Sequence, residues 1–365
     1  MTSRICLVIP TLDQGGAEQQ LCLLAAGLPR DQFDCHVVLL TRDGPRRRML
    51  DEAGIPVKLI EKRWKVDPGS YFRLKRHLRK LAPDVVHTWL FAANSYGRAA
   101  AVAAGVRSVL GSERCVDPWK TTFHFAIDRY LAKHSQGLTT NSRGVQQFYA
   151  RHGIPPTTFE IIPNGIAPAV HNDRCRQQVA QQLGIDPERR WIVAVGRLWP
   201  QKRYRDLIWA AEMLASLRED TTLVIIGDGP QAAELKRYRD AVSDRQRIRF
   251  VGQQENIVEL LSHFDVFWIG SEYEGQSNAL MEAMQAGLPV VASDIPGNRD
   301  LVAPNRNGCL VPCGDAATFA KQTHLLLESP ETARQWGAVG KQRIATEFSV
   351  QQMIQRHVDY YLRFL

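Results

Sequence analysis

The stretch Ser271–Pro289 reads SEYEGQSNALMEAMQAGLP. It sets two carboxylates, Glu274 and Glu282, eight positions apart around the turn Gly275–Gln276–Ser277–Asn278. The turn opens into Ala279-Leu-Met-Glu-Ala-Met, which are strong helix formers. Ser277 or Asn278 serves as N-cap, and the amides beyond it have no helical partner, so the turn attracts an anion such as phosphate. Glu282 then stands about one turn into the helix, on a face that can reach a ribose hydroxyl. Glu274 stands before the turn, where a sugar on that phosphate would sit. The run His263–Gly270 upstream and Gly287–Asp294 downstream each contain a short buried strand. The motif therefore lies at the carboxyl end of a strand, where open α/β sheets bind ligands.

Working outward, apolar strand-like runs alternate with helical patterns along the whole chain, which predicts parallel α/β layers. In the first half the expected strands are 5–9, 34–40, 57–60, 85–87, 108–111, 137–140 and 159–162. Helices over 17–27, 71–81 and 92–104 separate some of them. In the second half the strands are 191–195, 222–226, 248–250, 266–269, 290–292 and 308–311. At 365 residues the chain is too long for one ordinary core, so two domains are expected, with a boundary near Ile166–Val170. The last helix, from about Ser349, carries Met353, Ile354, Val358, Tyr361 and Leu362 on one stripe.

Hydrophobic residues make up 44% and charged residues 23%, a globular composition. No apolar run approaches the roughly 18 residues that span a bilayer. Residues 1–16 read as a first strand and its loop rather than a signal peptide. Seven scattered cysteines fit reduced thiols and a cytoplasmic location. Cys309 and Cys313 lack a second ligand pair, so no metal is expected. No Asp-x-Asp, no Walker loop and no zinc spacing occurs.

The net charge of +8 is uneven: residues 1–168 hold 23 Lys and Arg against 14 Asp and Glu, so all the excess lies there. Tyr71–Leu81 is a basic amphipathic helix with Leu74, Leu78 and Leu81 on one stripe and Arg73, Lys75, Arg76, Arg79 and Lys80 around it. Arg46–Arg48 and Lys62–Arg63–Trp64–Lys65 add charge. Two readings stand: a docked helix with a solvated basic face, or attachment to the inner face of an anionic membrane. Nucleic acid is not expected as a partner, because no aromatic interleaving accompanies the charge.

Further motifs follow strands. Gly15–Gly16–Ala17–Glu18 opens a helix, and its glycines permit φ > 0 and close approach to a ligand. Gly196–Arg197–Leu198 and Gln201–Lys202 place two cations five residues apart, suited to phosphate or to simple solvation. Gly227 and Gly252–Gln253 end two further strands. His87 reads first as a structural hydrogen-bonding group and second as a substrate contact. Glu113 and Arg114 read as a surface ion pair or as a site.

Together these motifs resemble the retaining GT-B glycosyltransferases of family 4, the group 1 glycosyltransferases, whose Glu-x7-Glu motif Glu274 and Glu282 match. The resemblance implies two Rossmann-like α/β domains facing across a cleft, with the C-terminal helix (about 349–365) crossing back to the first. Residues 1–168 would bind the acceptor and 169–348 the nucleotide-sugar donor. Glu274 would lie by the donor sugar, Glu282 would hold the ribose, and the amides of Gly275, Gln276, Ser277 and Asn278 would take the diphosphate. Arg197 and Lys202, beside Gly196, would neutralise that diphosphate. Gly16 would approach the donor phosphates, and Gly227, Gly252 and Gln253 would wall the nucleotide pocket. Gly15, His87 and Asn141 would meet acceptor or sugar, and Asn164 would line the cleft. Where relatives carry a His near the reacting centre this chain has Glu113, which becomes the candidate there. Where relatives often have Gly after the Lys this chain has Arg203, which stiffens the loop or adds a charge. The implied activity is metal-independent, retaining transfer of a sugar from a nucleotide-diphosphate sugar to a glycan or lipid-linked acceptor, with no cofactor. A sugar-nucleotide epimerase and a non-catalytic nucleotide-sugar-binding protein are the alternatives.

Overall fold

Every strand inferred from an apolar run is present in the computed structural model, within two residues of its expected ends. The structure describes residues 2–64, 66–168, 174–254 and 257–365. Lys65, in the basic segment, and Val170, at the expected boundary, lie outside the described residues.

The chain divides into two compact units. The first runs to Gly165 and regains Phe348–Leu365; the second is Ile166–Glu347. The first unit holds strands β1 (Ser3–Ile9), β2 (Phe33–Leu39), β3 (Val57–Leu59), β4 (Val85–Trp89), β5 (Ser108–Glu113), β6 (Gly137–Thr140) and β7 (Phe159–Ile161). They form one parallel sheet in the order β3-β2-β1-β4-β5-β6-β7. Alternate side chains of β1 enter opposite layers. Ile5, Leu7 and Ile9 pack with Leu21, Leu24, Met353 and Tyr361, while Cys6 and Val8 pack with Leu74, Leu78 and Ala101. Burial on both faces is why these strands read as unbroken apolar runs.

The second unit repeats the plan with β8 (Arg190–Val195), β9 (Thr221–Ile226), β10 (Ile248–Gly252), β11 (Val266–Ile269), β12 (Val290–Ser293) and β13 (Gly308–Val311), ordered β10-β9-β8-β11-β12-β13. Its core gathers Ile192, Ala194, Ile225, Trp268 and Val291 with Leu207, Leu214 and Phe319 from the covering helices. Each sheet reverses its strand order once, at β1/β4 and at β8/β11, and such switch points at carboxyl ends are where doubly wound sheets take ligands.

The terminal helix Val350–Leu362 belongs to the first unit and packs beside the helix Gly16–Gly27. The basic helix runs Pro68–Leu81, capped by the Asp67 carboxylate, which accepts the Ser70 amide at 3.0 Å. Leu74 and Leu78 are buried, as the stripe requires. The nearby arginines are less free than their charge suggests: Arg47 pairs with Asp43 and Asp51, and Arg48 with Glu52. Among the described residues no helix is long and apolar enough to cross a membrane.

Candidate active site

The neighbouring strands β8 and β11 both end in site loops. From β8 the chain leaves as Gly196–Arg197–Leu198–Trp199 and then a 3-10 turn, Pro200–Lys202. From β11 it leaves through Gly270–Ser277 into the helix Asn278–Gln285. Backbone and side-chain bonds zip these loops together. The Glu272 amide donates to the Gln201 carbonyl at 2.8 Å, and Gln201 Nε2 donates to the Tyr273 carbonyl at 2.5 Å. Lys202 Nζ then donates to Glu274 Oε1, which also accepts Ser271 Oγ at 2.6 Å. A cation and a hydroxyl thus hold the Glu274 carboxylate, whose side chain is 10% exposed.

Ser277, not Asn278, is the N-cap: its Oγ accepts the Leu280 amide at 3.4 Å. Gln276, Ser277 and Glu282 are all buried at this helix start. A buried polar brace stands behind the loop. Ser293 Oγ donates to the Ser271 carbonyl at 2.5 Å, and Asn298 Nδ2 donates to the Ser293 carbonyl at 2.8 Å. Sequence reasoning missed both residues; a polar Ser ending an otherwise apolar strand was the available signal.

Arg197 is exposed, its guanidinium carbon 4.9 Å from the centre of the Trp199 ring. The glycine loops at the ends of β8, β9 and β10 are bonded to their neighbours. The Gly196 amide donates to the Ile226 carbonyl at 3.0 Å, and the Gly227 amide to the Gly252 carbonyl at 2.8 Å. Gly227 has φ +140, and a Cβ there would land on the Gly196 carbonyl, so only glycine lets these turns close. Tyr204 Oη, unremarked in the sequence, donates to the Gly196 carbonyl at 3.1 Å. Gly252 and Gln253 are exposed. Arg203 adopts φ +52, the left-handed region glycine would favour, and its Nε bonds Asp206 at 2.5 Å. The added cation is thereby neutralised where it arises.

In the first unit the structure corrects several expectations. Gly15 is extended, with φ −99, and Gly16 is not among the positive-φ glycines. The glycine instead leaves room for Glu18, because a Cβ on Gly15 would stand 2.8 Å from the Glu18 carboxyl carbon. His87 is fully buried: Nδ1 lies 2.8 Å from Tyr361 Oη and Nε2 3.2 Å from Thr139 Oγ1. Burial, with His357 and Arg114 nearby, holds its pKa well below the usual imidazole value. It is an interior hydrogen-bonding group, as the first of its two sequence readings has it.

Glu113 is likewise interior and makes no pair with Arg114. Its Oε1 accepts Asn94 Nδ2 at 2.9 Å, and its Oε2 lies 3.6 Å from Lys120 Nζ. Lys120 also reaches Asp128 at 2.9 Å and Asp117 at 3.4 Å, and donates to Tyr149 Oη at 2.7 Å. Arg98 stands 3.5 Å from Asp128. Burial raises the Glu113 pKa, with Lys120 opposing. The residue therefore belongs to a buried charge cluster. Asn141 is buried too, donating to the Arg114 carbonyl at 3.1 Å.

Two parallel-stranded Rossmann-like sheets, with a Lys–Glu pair and a capped helix at the second switch point, define the GT-B class of protein. Residues 176–343 match the family model of glycosyl transferases group 1, and residues 14–170 match that of glycosyltransferase family 4. The chain belongs to the family 4, group 1 glycosyltransferases. It is 28% identical over 323 residues to the UDP-Gal:alpha-D-GlcNAc-diphosphoundecaprenol alpha-1,3-galactosyltransferase of Escherichia coli, covering 80% of this chain and 79% of that one. It is 27% identical to the alpha-maltose-1-phosphate synthase of Mycolicibacterium smegmatis, covering 77% and 79%. Among solved structures it is similar in fold to Anabaena HepE in complex with UDP-glucose, with a TM-score of 0.88, 22% identity and 99% of each chain covered. The epimerase and the non-catalytic binder gain no support from these matches.

Proposed function

We propose that this glycosyltransferase moves a sugar from a nucleotide-diphosphate sugar to a glycan or lipid-linked acceptor, with retention of anomeric configuration and without a metal ion. The observation that carries the reading is the Lys202–Glu274 pair, held beside the Ser277-capped helix start at the switch point of the second sheet. Arg197 and Lys202 meet the diphosphate charge at the amino end of the helix Asn278–Gln285. Glu282 takes the ribose. Glu274 positions the donor sugar and, because a cation and a hydroxyl already hold it, does not act as nucleophile. The acceptor attacks from the face the leaving group departs, and the departing diphosphate, stabilised by both cations, takes the acceptor proton.

The donor named for the Escherichia coli relative is UDP-Gal, and the Anabaena structure holds UDP-glucose, so UDP-hexoses are tested first. Calorimetry across UDP, GDP, ADP and dTDP sugars decides: a UDP-hexose is expected to bind, and no heat with any of them, from folded protein, removes the reading. The E. coli relative's named acceptor is a diphosphoundecaprenol, which supports a lipid-linked acceptor.

A further inference from the structure

Four cationic side chains are buried among the described residues: Arg98, Arg114, Lys120 and Arg239. Three face a carboxylate, Arg98 and Lys120 at Asp128 and Arg239 at Asp240, 2.7 Å away. Arg114 pairs with no carboxylate among the described residues. One guanidinium nitrogen, Nη2, donates to the neutral Asn164 Oδ1, while Nε and Nη1 have no hydrogen-bond partner among those residues. Its guanidinium carbon lies 4.5 Å from the centre of the Trp89 ring, whose Nε1 also lacks a partner. The Asn141 Oδ1 beside them is unpartnered as well. Burial pulls the Arg114 pKa down to about 9, and no neighbouring charge raises it.

Taking a cation from water without a counter-charge is costly, so the fold holds Arg114 at a penalty it avoids for the other three. The location is that of a ligand-binding edge. Trp89 ends β4, Arg114 follows β5, Asn141 follows β6 and Asn164 lies beyond β7, all at the carboxyl edge of the first sheet. A guanidinium fork matches two oxygens of a phosphoryl group, and an indole N–H adds a third donor.

We propose that Arg114, with Trp89, is the recognition point in the first unit for a phosphoryl group, which displaces the Asn164 side chain from the guanidinium. For its source, the inference rests on the transferase reading: the acceptor brings the phosphoryl group. The donor diphosphate is the other source of the same chemistry, and the experiment separates them.

Full-length parent, Arg114→Gln, Arg114→Lys and Arg197→Ala are titrated calorimetrically with glucose 1-phosphate, inorganic pyrophosphate and UDP, with chloride as the ionic-strength control. Glucose 1-phosphate is expected to bind the parent and Arg197→Ala alike, and Arg114→Gln about tenfold more weakly or worse, the loss of a charge-assisted bond, whereas pyrophosphate, which the donor site also takes, should lose affinity in both variants. Binding of glucose 1-phosphate that Arg197→Ala weakens and Arg114→Gln leaves intact overturns the proposal. UDP binding lost in Arg114→Gln, with glucose 1-phosphate unaffected, assigns the anion to the donor and overturns the acceptor source. Should Arg114→Gln not fold, Arg114→Lys decides: it keeps the charge and loses the fork, and parental affinity there overturns the proposal. Because these titrations need no turnover, failure of the transferase reading would leave the anion result standing on its own.

Discussion

Gln20 grips Gly165 by both ends of its side-chain amide: Nε2 donates to the Gly165 carbonyl at 2.8 Å, and Oε1 accepts the Gly165 amide at 2.7 Å. Gln20 is fully buried on the helix that follows the Gly15 turn, and Gly165 is the last residue of the first unit's main segment. A Cβ on Gly165 would stand 2.7 Å from the Val350 Cα, so the terminal helix closes on the same point. Gln20→Leu leaves a buried amide and carbonyl without partners, at about 1–3 kcal/mol each. Its urea midpoint should fall by a matching amount in the transition that reports the first unit. An unshifted midpoint would show that the clamp contributes no stability.

Lys202→Met removes both a cation for the leaving group and the partner of Glu274. We expect kcat to drop about 100- to 1,000-fold, the scale seen when one preorganised stabilising donor is lost. Arg197→Ala should lose a comparable amount. Steady-state kinetics with a UDP-hexose checks both, and turnover within a few-fold of the parent would remove these residues from the mechanism.

His87 and His357 are buried, and burial pushes both pKa values down, His357 to about 3. In the unfolded chain each titrates near the ordinary imidazole value of about 6.5. Below that pH the unfolded state binds protons that the folded state refuses, so stability falls as the pH drops from 6.5 towards 3. The His357 imidazole contributes a loss of about 2 kcal/mol by pH 5, and His87 acts in the same direction. Glu113 and Asp117, raised by burial, act in the opposite sense: their contribution is present at low pH and is lost as pH rises through their folded pKa. His77 and His263 are lowered as well, so the acid slope sums several groups, and His357→Phe should flatten it by close to one proton. An unchanged slope in that variant would exclude His357 as a source.

Lys75, Arg76 and Lys80 sit on the basic helix, beside Phe72 at 63% exposure, with Trp64 at 67% just before the helix. If this face meets an anionic bilayer, reversing the three charges (Lys75→Glu, Arg76→Glu, Lys80→Glu) should weaken binding to phosphatidylserine vesicles at least about 100-fold, at roughly 1 kcal/mol per cation. Sedimentation with neutral vesicles is the control. Equal partitioning of parent and triple variant would leave the helix as a docked element with a solvated face.

The strands were legible because both faces of a parallel sheet are covered, so Ile5–Ile9 or Val266–Ile269 show as plain apolar runs. The loop chemistry of the second unit was equally visible, since Lys202, Glu274 and Ser277 stand directly after strands whose ends the apolar runs mark. The first unit hid more. β5 continues through Ser112 and Glu113, where the Ser112 carbonyl and the Glu113 carboxylate find partners in Asn94 and Lys120, which no local pattern announces. His87 reads first as a structural hydrogen-bonding group, but its partner Tyr361 is 274 positions away and no local pattern names it. Burial of a polar side chain is a property of distant neighbours, and spacing along the chain carries no record of it.

The return of Phe348–Leu365 to the first unit sets a constraint on biosynthesis. Tyr361 and Tyr360 complete the interior around His87 and Leu138, and Ser108 Oγ donates to the Phe364 carbonyl at 2.8 Å. While the ribosome is still translating Ile166–Glu347, the amino-terminal lobe lacks its closing helix and exposes the apolar trough that Met353 and Val358 later fill. A nascent-chain intermediate with that trough uncovered is a natural client for a chaperone, and expression of residues 1–165 alone should yield a sticky, incompletely folded product.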